Sequence, residues 1–268
     1  MQAENQADAL GVLGANQAGA QRTSFGGFGG SLGALGEGVA PRGLRCVAQD
    51  VLDVTASAQA IAYVTKDTRA DGSVFASFYL CEWDTLCSRP ISESMYCQMK
   101  FGAAGSVAAT QLPERLTCCA ARLPDGGCAV LQADSTLRLL RPDGRPGAQF
   151  ALEYQGAPAG GIACDPVGDG DLWFSVPKRG SVVRFSLQSR EMTLRVGGAD
   201  DFAQPTGLFL QGHSLFVCCV GDHTVRMLHL PACTLGESVA FKGQPDQYFA
   251  VFRRRFVRMR NALYVCEQ

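Results

Sequence analysis

From about residue 44 onward, short apolar runs rich in β-branched residues alternate with polar turns built from Gly, Pro, Asp and Ser. A 3.6-residue helical period is hard to find. Short, regularly spaced runs of this kind predict strands rather than helices. Three stretches can be laid over one another: 116–140, 160–185 and 205–228. Each reads strand, tight polar turn, apolar strand, second polar turn, and a strand of the form Val/Leu-Arg-apolar. Arg138, Arg184 and Arg226 hold the same place in the three stretches, 46 and then 42 residues apart. A repeat of that length, with four strands per unit, is the blade period of a β-propeller, whose sheets bury both faces against their neighbours.

The turns carry the right chemistry. Pro124-Asp125-Gly126, Gly168-Asp169-Gly170 and Gln211-Gly212-His213 supply residues that tolerate the positive φ of hairpin turns. A fourth, alternating strand follows in each unit, as in Met192-Thr-Leu-Arg-Val and Glu237-Ser-Val-Ala-Phe. The expected fold is all-β, a propeller of four-stranded antiparallel blades at about 44–101, 112–155, 158–198 and 204–243. A partial fifth blade occupies 247–268. In the diverged first blade the strands fall at Cys46–Val54, Ala60–Thr65, Val74–Trp83 and Met95–Phe101. The last unit stops two strands short. Either the N-terminal segment supplies them or the chain is a piece of a longer product, and the cost of exposed pairing edges favours the second, an incomplete ring.

Residues 1–43 have a different texture. Ala, Gly, Gln and Asn dominate, and the run that starts at Phe25-Gly-Gly-Phe carries a large ordering entropy with few side chains to bury. This predicts a flexible tail, or a peptide that docks in extended form. It lacks the Lys-Ser/Thr of a phosphate loop and the third glycine of a dinucleotide fingerprint. The acidic start, Met-Gln-Ala-Glu-Asn-Gln-Ala-Asp, resembles neither a secretory signal nor a transit peptide. No run reaches the length of a membrane span. These features predict an intracellular, cytoplasmic protein with no membrane partner. The formal net charge of −1 offers no global field for nucleic acid.

Twelve cysteines are an unusual number. The pairs Cys118-Cys119 and Cys218-Cys219 would point to opposite faces of a strand, and others lie inside apolar runs, so the expectation is reduced core thiols. No Cys-x-x-Cys occurs and there are three histidines, so neither metal nor cofactor is expected.

Catalytic patterns are equally sparse. Asp222-His223 is the nearest to an acid–base pair, but adjacent residues in a turn do not face each other, and their expected role is to cap and hold the next strand. No Gly-x-Ser-x-Gly is present. The sharpest local feature is the run Arg253, Arg254, Arg255, Arg258 and Arg260, interleaved with Phe256 and Met259. It suits phosphate or an acidic partner, and it equally describes a strand with one solvated face. Lys178, Arg179, Asp222 and His223 join these arginines as candidate partner-binding residues.

The motif Pro205-Thr206-Gly207-Leu208, with Leu215-Phe216-Val217 and Gly221-Asp222-His223-Thr224-Val225, resembles the NHL-type propeller repeat. Gly160-Gly161-Ile162 with Leu172-Trp173-Phe174 is a fair second match. The resemblance covers about residues 110–268. It implies an interaction platform, with RNA binding in some members. More distant relatives include metal-dependent lactonases and a lyase. The lactonase-like pattern has an Asn ligand in Pro-Asn-Gly, and Thr206 stands at that place here. The expected function is therefore a non-catalytic scaffold for a protein partner. The alternatives are RNA binding through Arg253–Arg260 and a divergent metal-dependent hydrolase.

Overall fold

The computed structural model describes residues 43–57, 59–112, 118–165, 170–251 and 254–267. The chain opens with strand β1 (Gly43–Ala48). The first blade then follows as β2 (Val51–Ala56), β3 (Ala60–Thr68), β4 (Val74–Glu82) and β5 (Ser88–Pro90). Two helices come next, α1 (Glu93–Phe101) and α2 (Gly105–Gln111). The second blade is β6 (Cys119–Arg122), β7 (Cys128–Leu131), β8 (Thr136–Leu140) and β9 (Pro146–Ala151). After a small hairpin of β10 (Glu153–Tyr154) and β11 (Ala157–Pro158), the third blade is β12 (Gly161–Cys164), β13 (Leu172–Val176), β14 (Ser181–Ser186) and β15 (Glu191–Val196). The fourth is β16 (Pro205–Gln211), β17 (Ser214–Cys219), β18 (Thr224–His229) and β19 (Thr234–Ala240). The fifth contains β20 (Pro245–Val251), β21 (Arg254–Met259) and β22 (Ala262–Glu267).

The fifth blade is completed from the other end of the chain. β1 pairs antiparallel with β22, Gly43 opposite Glu267 and Cys46 opposite Tyr264. The expectation of two missing strands is thus corrected: one strand is needed, and β1 provides it. The predicted single strand Cys46–Val54 is really two, broken at Asp50, whose φ of 52° turns the backbone out of the extended region. β1 finishes the fifth blade and β2 begins the first.

Five apolar clusters, one at each blade-to-blade contact, hold the ring together. Val64, Phe101 and Val130 belong to the first, and Leu137, Leu172 and Phe174 to the second. Trp173, Leu215 and Leu228 fill the third, and Phe216, Tyr248 and Val257 the fourth. The fifth closes the ring: Ile61, Tyr63 and Trp83 of the first blade pack on Phe256, Leu263 and Val265 of the fifth. The Trp83 and Phe256 rings meet at 5.1 Å in an edge-on arrangement. A hydrogen bond of 2.8 Å from the Val51 N–H to the Asn261 carbonyl crosses the same seam.

A second correction concerns Met95–Phe101, predicted as a strand and folded as part of α1. Ser92 caps its N-terminus by accepting the Met95 N–H, and Gly102, at φ 67°, ends it. Tyr96, Cys97, Lys100 and Phe101 form its buried stripe. The fourth strand of that blade is the short β5 instead.

Seven thiols lie in the core, Cys81, Cys97, Cys118, Cys128, Cys218, Cys219 and Cys266, whereas Cys46 and Cys87 are exposed. Burial pushes Cys128 and Cys266 up to about 12, so both stay protonated at neutral pH. Among the described residues no helix is long and apolar enough to cross a membrane.

Candidate functional site

The innermost strands β2, β6, β12, β16 and β20 surround a central channel, which holds a cavity of about 270 Å³. Every blade contributes to its lining, among others through Asp53, Cys118, Gly160, Thr206 and Asp246. Glycine sets the channel's width. A Cβ on Gly161 would lie 2.4 Å from the Thr206 carbonyl oxygen, and one on Gly207 would lie 2.1 Å from that of Asp246. Only bare backbone lets adjacent inner strands approach this closely. The glycine of the Pro205-Thr206-Gly207 motif is therefore a spacing device. Thr206 is tied into the wall, its hydroxyl donating to the Cys218 carbonyl at 3.4 Å and its carbonyl accepting from Ser175 Oγ at 2.6 Å.

α1 packs on β2 and β6 and sends Lys100 into the channel. Its ammonium is paired with the Asp53 carboxylate, which also accepts from the Tyr96 hydroxyl at 2.6 Å. The Lys100 and Asp53 side chains are 5% and 3% exposed. Burial works against the lysine charge, but the Asp53 carboxylate, together with the neighbouring Cys118, leaves the ammonium above its ordinary range. Burial, followed by the Asp53 charge, drives the Tyr96 phenol well up. The Cys118 thiol is pushed to about 11 by burial, with Lys100 pulling against it. None of these three titrates near neutrality.

Asp246 does. Burial raises its carboxyl to about 6, although the Arg258 guanidinium, 3.6 Å away, draws it down. A carboxyl raised on folding binds its proton more tightly in the folded chain. Its stabilising contribution is complete below about pH 4 and disappears as the pH climbs through 6. Replacing Asp246 with Asn should flatten that part of the stability profile by about 1 kcal/mol, a figure reduced for solvent screening of a partly exposed group. Thermal melts of both proteins at pH 4, 5, 6 and 7 check this, and parallel profiles would rule it out.

The second-to-third strand turn of each blade lies at the end of the ring where the inner strand begins, around the mouth of the channel. Several sequence-predicted residues meet there. Lys178 and Arg179 are exposed in the 3₁₀ turn Pro177–Arg179 between β13 and β14, and Arg179 donates to the Gln155 carbonyl at 2.9 Å. Asp222 and His223 form the β17–β18 turn. Asp222 accepts from Thr224 Oγ1 at 2.7 Å and from Arg226 Nη2 at 2.6 Å. His223, at φ 60°, accepts the Phe241 N–H at 2.8 Å. This pair holds the strands together. Arg260 is exposed in the β21–β22 turn on the same face.

The remaining arginines do not share one surface, and the expected single solvated face is corrected here. β21 is the second strand of its blade, covered on both sides: Phe256 is buried against the first blade, Val257 and Met259 against the fourth. By alternation Arg254 and Arg258 follow the Phe256 side and Arg255 the other. Arg254 reaches the Asp84 carbonyl at 3.5 Å and Arg258 reaches Gln247 and Asp246. Arg253 lies outside the described residues. Among the described residues no three His, Cys, Asp or Glu side chains gather as a metal-binding group.

The first blade contributes a feature that sequence reasoning missed. β3 and β4 run on past their neighbours: β2 pairs with β3 only to Thr65, and β5 meets β4 only from Tyr79 to Cys81. Lys66–Thr68 and Val74–Ala76 therefore form a two-stranded ribbon beyond the sheet, on the channel-mouth face. Val74 is 56% and Phe75 38% exposed at its tip, and the Arg69 guanidinium stands 4.8 Å above the Phe75 ring. β3 runs three residues past the predicted end at Thr65, and both strands are nine residues long.

No family model matches the chain, and no curated protein matches it. Solved structures do. Virginiamycin B lyase from Staphylococcus aureus is 12% identical, with 83% of this chain and 98% of that chain covered and a TM-score of 0.48. A streptogramin B lyase is 8% identical, with 83% and 96% covered and a TM-score of 0.46. The WD40 repeats of RRP9 are 14% identical, with 80% and 59% covered and a TM-score of 0.43. At such identities the likeness concerns the propeller fold alone.

Proposed function

We propose that this chain is a non-catalytic propeller of the NHL type that binds a protein partner on the channel-mouth face. The observation that carries the reading is the β3–β4 ribbon. A blade needs no strand beyond its neighbours, yet this one extends two and sets Val74 and Phe75 in solvent at their tip. Open strand edges beside exposed apolar side chains suit pairing with an extended segment of another protein. The turns bearing Lys178, Arg179, Asp222 and Arg260 surround the same face and supply charges of both signs for a polar rim. The channel chemistry is in keeping with recognition rather than turnover: its carboxylates stand against cations, and its thiols are held protonated.

A photoreactive phenylalanine analogue placed at position 75 should give a discrete cross-linked adduct in the native cell. The same group at Leu235, exposed on the outer strand of the fourth blade, should not. Val74→Asp should remove the adduct while leaving the melting temperature within a few degrees. Equal adducts at both positions, or an adduct indifferent to Val74→Asp, would count against the ribbon.

A further inference from the structure

The channel continues beyond the cavity that holds Asp53 and Asp246. A second space of about 200 Å³ follows it in the same bore, and the two share Thr55, Lys100, Ala120, Ile162, Leu208 and Phe249 in their walls. The inner strands fix their succession: on β2 the wall passes from Asp53 to Ala56, and on β16 from Thr206 to Leu210. The second space is therefore toward the end of the ring remote from the ribbon. Each space alone is smaller than the roughly 300–1,000 Å³ of ligand pockets, and in series they enter that range.

The charged groups of the first space are not equally open. Lys100 and Asp53 close on each other and are 5% and 3% exposed. Arg258 is 18% exposed; its Nη1 donates to Gln247 Oε1 at 3.4 Å, and its Nε is buried 3.6 Å from Asp246 Oδ2. The Asp246 side chain is the most open of the four, at 34%. Its Oδ1 is buried, so that exposure falls on Oδ2 and the carbons beside it. The carboxylate looks across the channel. Its charge and that of Arg258 both reach the Cys119 thiol of the second blade, and the Asp53 charge of the first blade reaches it in turn. Its separation from Arg258 exceeds the roughly 2.7–2.9 Å of a charge-assisted hydrogen bond, so Oδ2 can accept from a second donor.

Past Asp246 the wall becomes largely apolar. Ile162, Leu208 and Phe249 stand between the two spaces, and Met99 and Leu210 line the second. Arg122, a cation of that second space, is occupied in donating to the Gln98 and Met99 carbonyls. An anion entering the first space would meet the open carboxylate, and a neutral ligand would leave its charge as poorly met as before. We propose that the channel binds a protonated primary amine, whose ammonium donates to Asp246 Oδ2 and whose apolar body lies along Ile162, Leu208 and Phe249. The site is separate from the ribbon and needs no partner there.

Isothermal titration of the full chain compares 2-phenylethylamine with 2-phenylethanol and 3-phenylpropanoate, which keep the apolar body and change the head. The amine should bind saturably, with the alcohol and the carboxylate weaker by about tenfold or more, the change that a charge-assisted hydrogen bond sustains. Asp246→Asn should lose the same factor for the amine. Asp71→Asn, which removes an exposed carboxylate from the ribbon turn, should lose none. Should Asp246→Asn not fold, the wild-type series decides alone. The proposal is overturned by an amine that does not saturate, or by alcohol or carboxylate binding as tightly as the amine. An amine affinity unmoved by Asp246→Asn, or reduced equally by Asp71→Asn, overturns it as well.

Discussion

Lys100→Met is expected to destabilise the protein by about 3–5 kcal/mol, the usual result of leaving one member of a buried ion pair without its partner. In a domain of this size that corresponds to a fall of roughly 10 °C in melting temperature. The cause is Asp53, 3% exposed in its side chain and left after the substitution with a neutral donor, the Tyr96 hydroxyl, in place of the ammonium. The damage should be reversible by chemistry rather than by packing. In Asp53→Asn/Lys100→Met no charge remains to be buried, and Tyr96 can still donate to the amide oxygen, so most of the loss should be recovered. Calorimetric melts of wild type and both variants decide the matter. If the double variant is as unstable as Lys100→Met, the lysine stem is supporting the helix through its packing and the ion pair is not the cause.

That pair was invisible in the sequence for a physical reason. Asp53 sits on an inner strand and Lys100 on a helix 47 residues away, and the stretch that forms the helix disguises itself. Met95, Cys97, Met99 and Phe101 alternate as a strand would, and only the flanking Ser92 and Gly102 mark helix ends. The blades between Cys119 and Ala240 were legible because each repeats the same strand-and-turn chemistry, and Arg184 and Arg226 do equivalent work, each holding an aspartate. Ring closure was not legible. Residues 46–54 read as one strand, and the break at Asp50 depends on a left-handed backbone that aspartate tolerates but does not by itself dictate. The arginine run misled in a similar way. Alternation correctly described β21, but whether a face is wet depends on which strand of the blade it is, and a second strand has neighbours on both sides. Of the residues singled out in the sequence, Lys178, Arg179, Asp222, His223 and Arg260 lie in turns around one face. The ribbon was missed because its message lies in strand length relative to partners that are known only once paired.

Gly207→Ala is expected to be the costliest single methyl group that can be added to the channel wall. The new Cβ would lie 2.1 Å from the Asp246 carbonyl oxygen and 3.1 Å from its carbon, atoms of the neighbouring blade's backbone that no rotamer change can move. The fourth and fifth blades must separate locally, which puts the cost near the upper end of overpacking, about 3 kcal/mol. Gly212→Ala provides the contrast. It lies in the Gln211-Gly212-His213 turn, at φ 56°, where a Cβ meets nothing within 4 Å, so it should cost only the left-handed backbone strain of about 1 kcal/mol. Chemical denaturation of the two variants separates steric spacing from backbone freedom. A Gly207→Ala loss no larger than that of Gly212→Ala would mean that the inner strands can move apart at little cost. Because Asp246 is the residue displaced, Gly207→Ala should also lower the carboxyl's pKa from about 6 as the widened channel admits water. An unchanged carboxyl titration alongside a large stability loss would place the strain elsewhere in the blade.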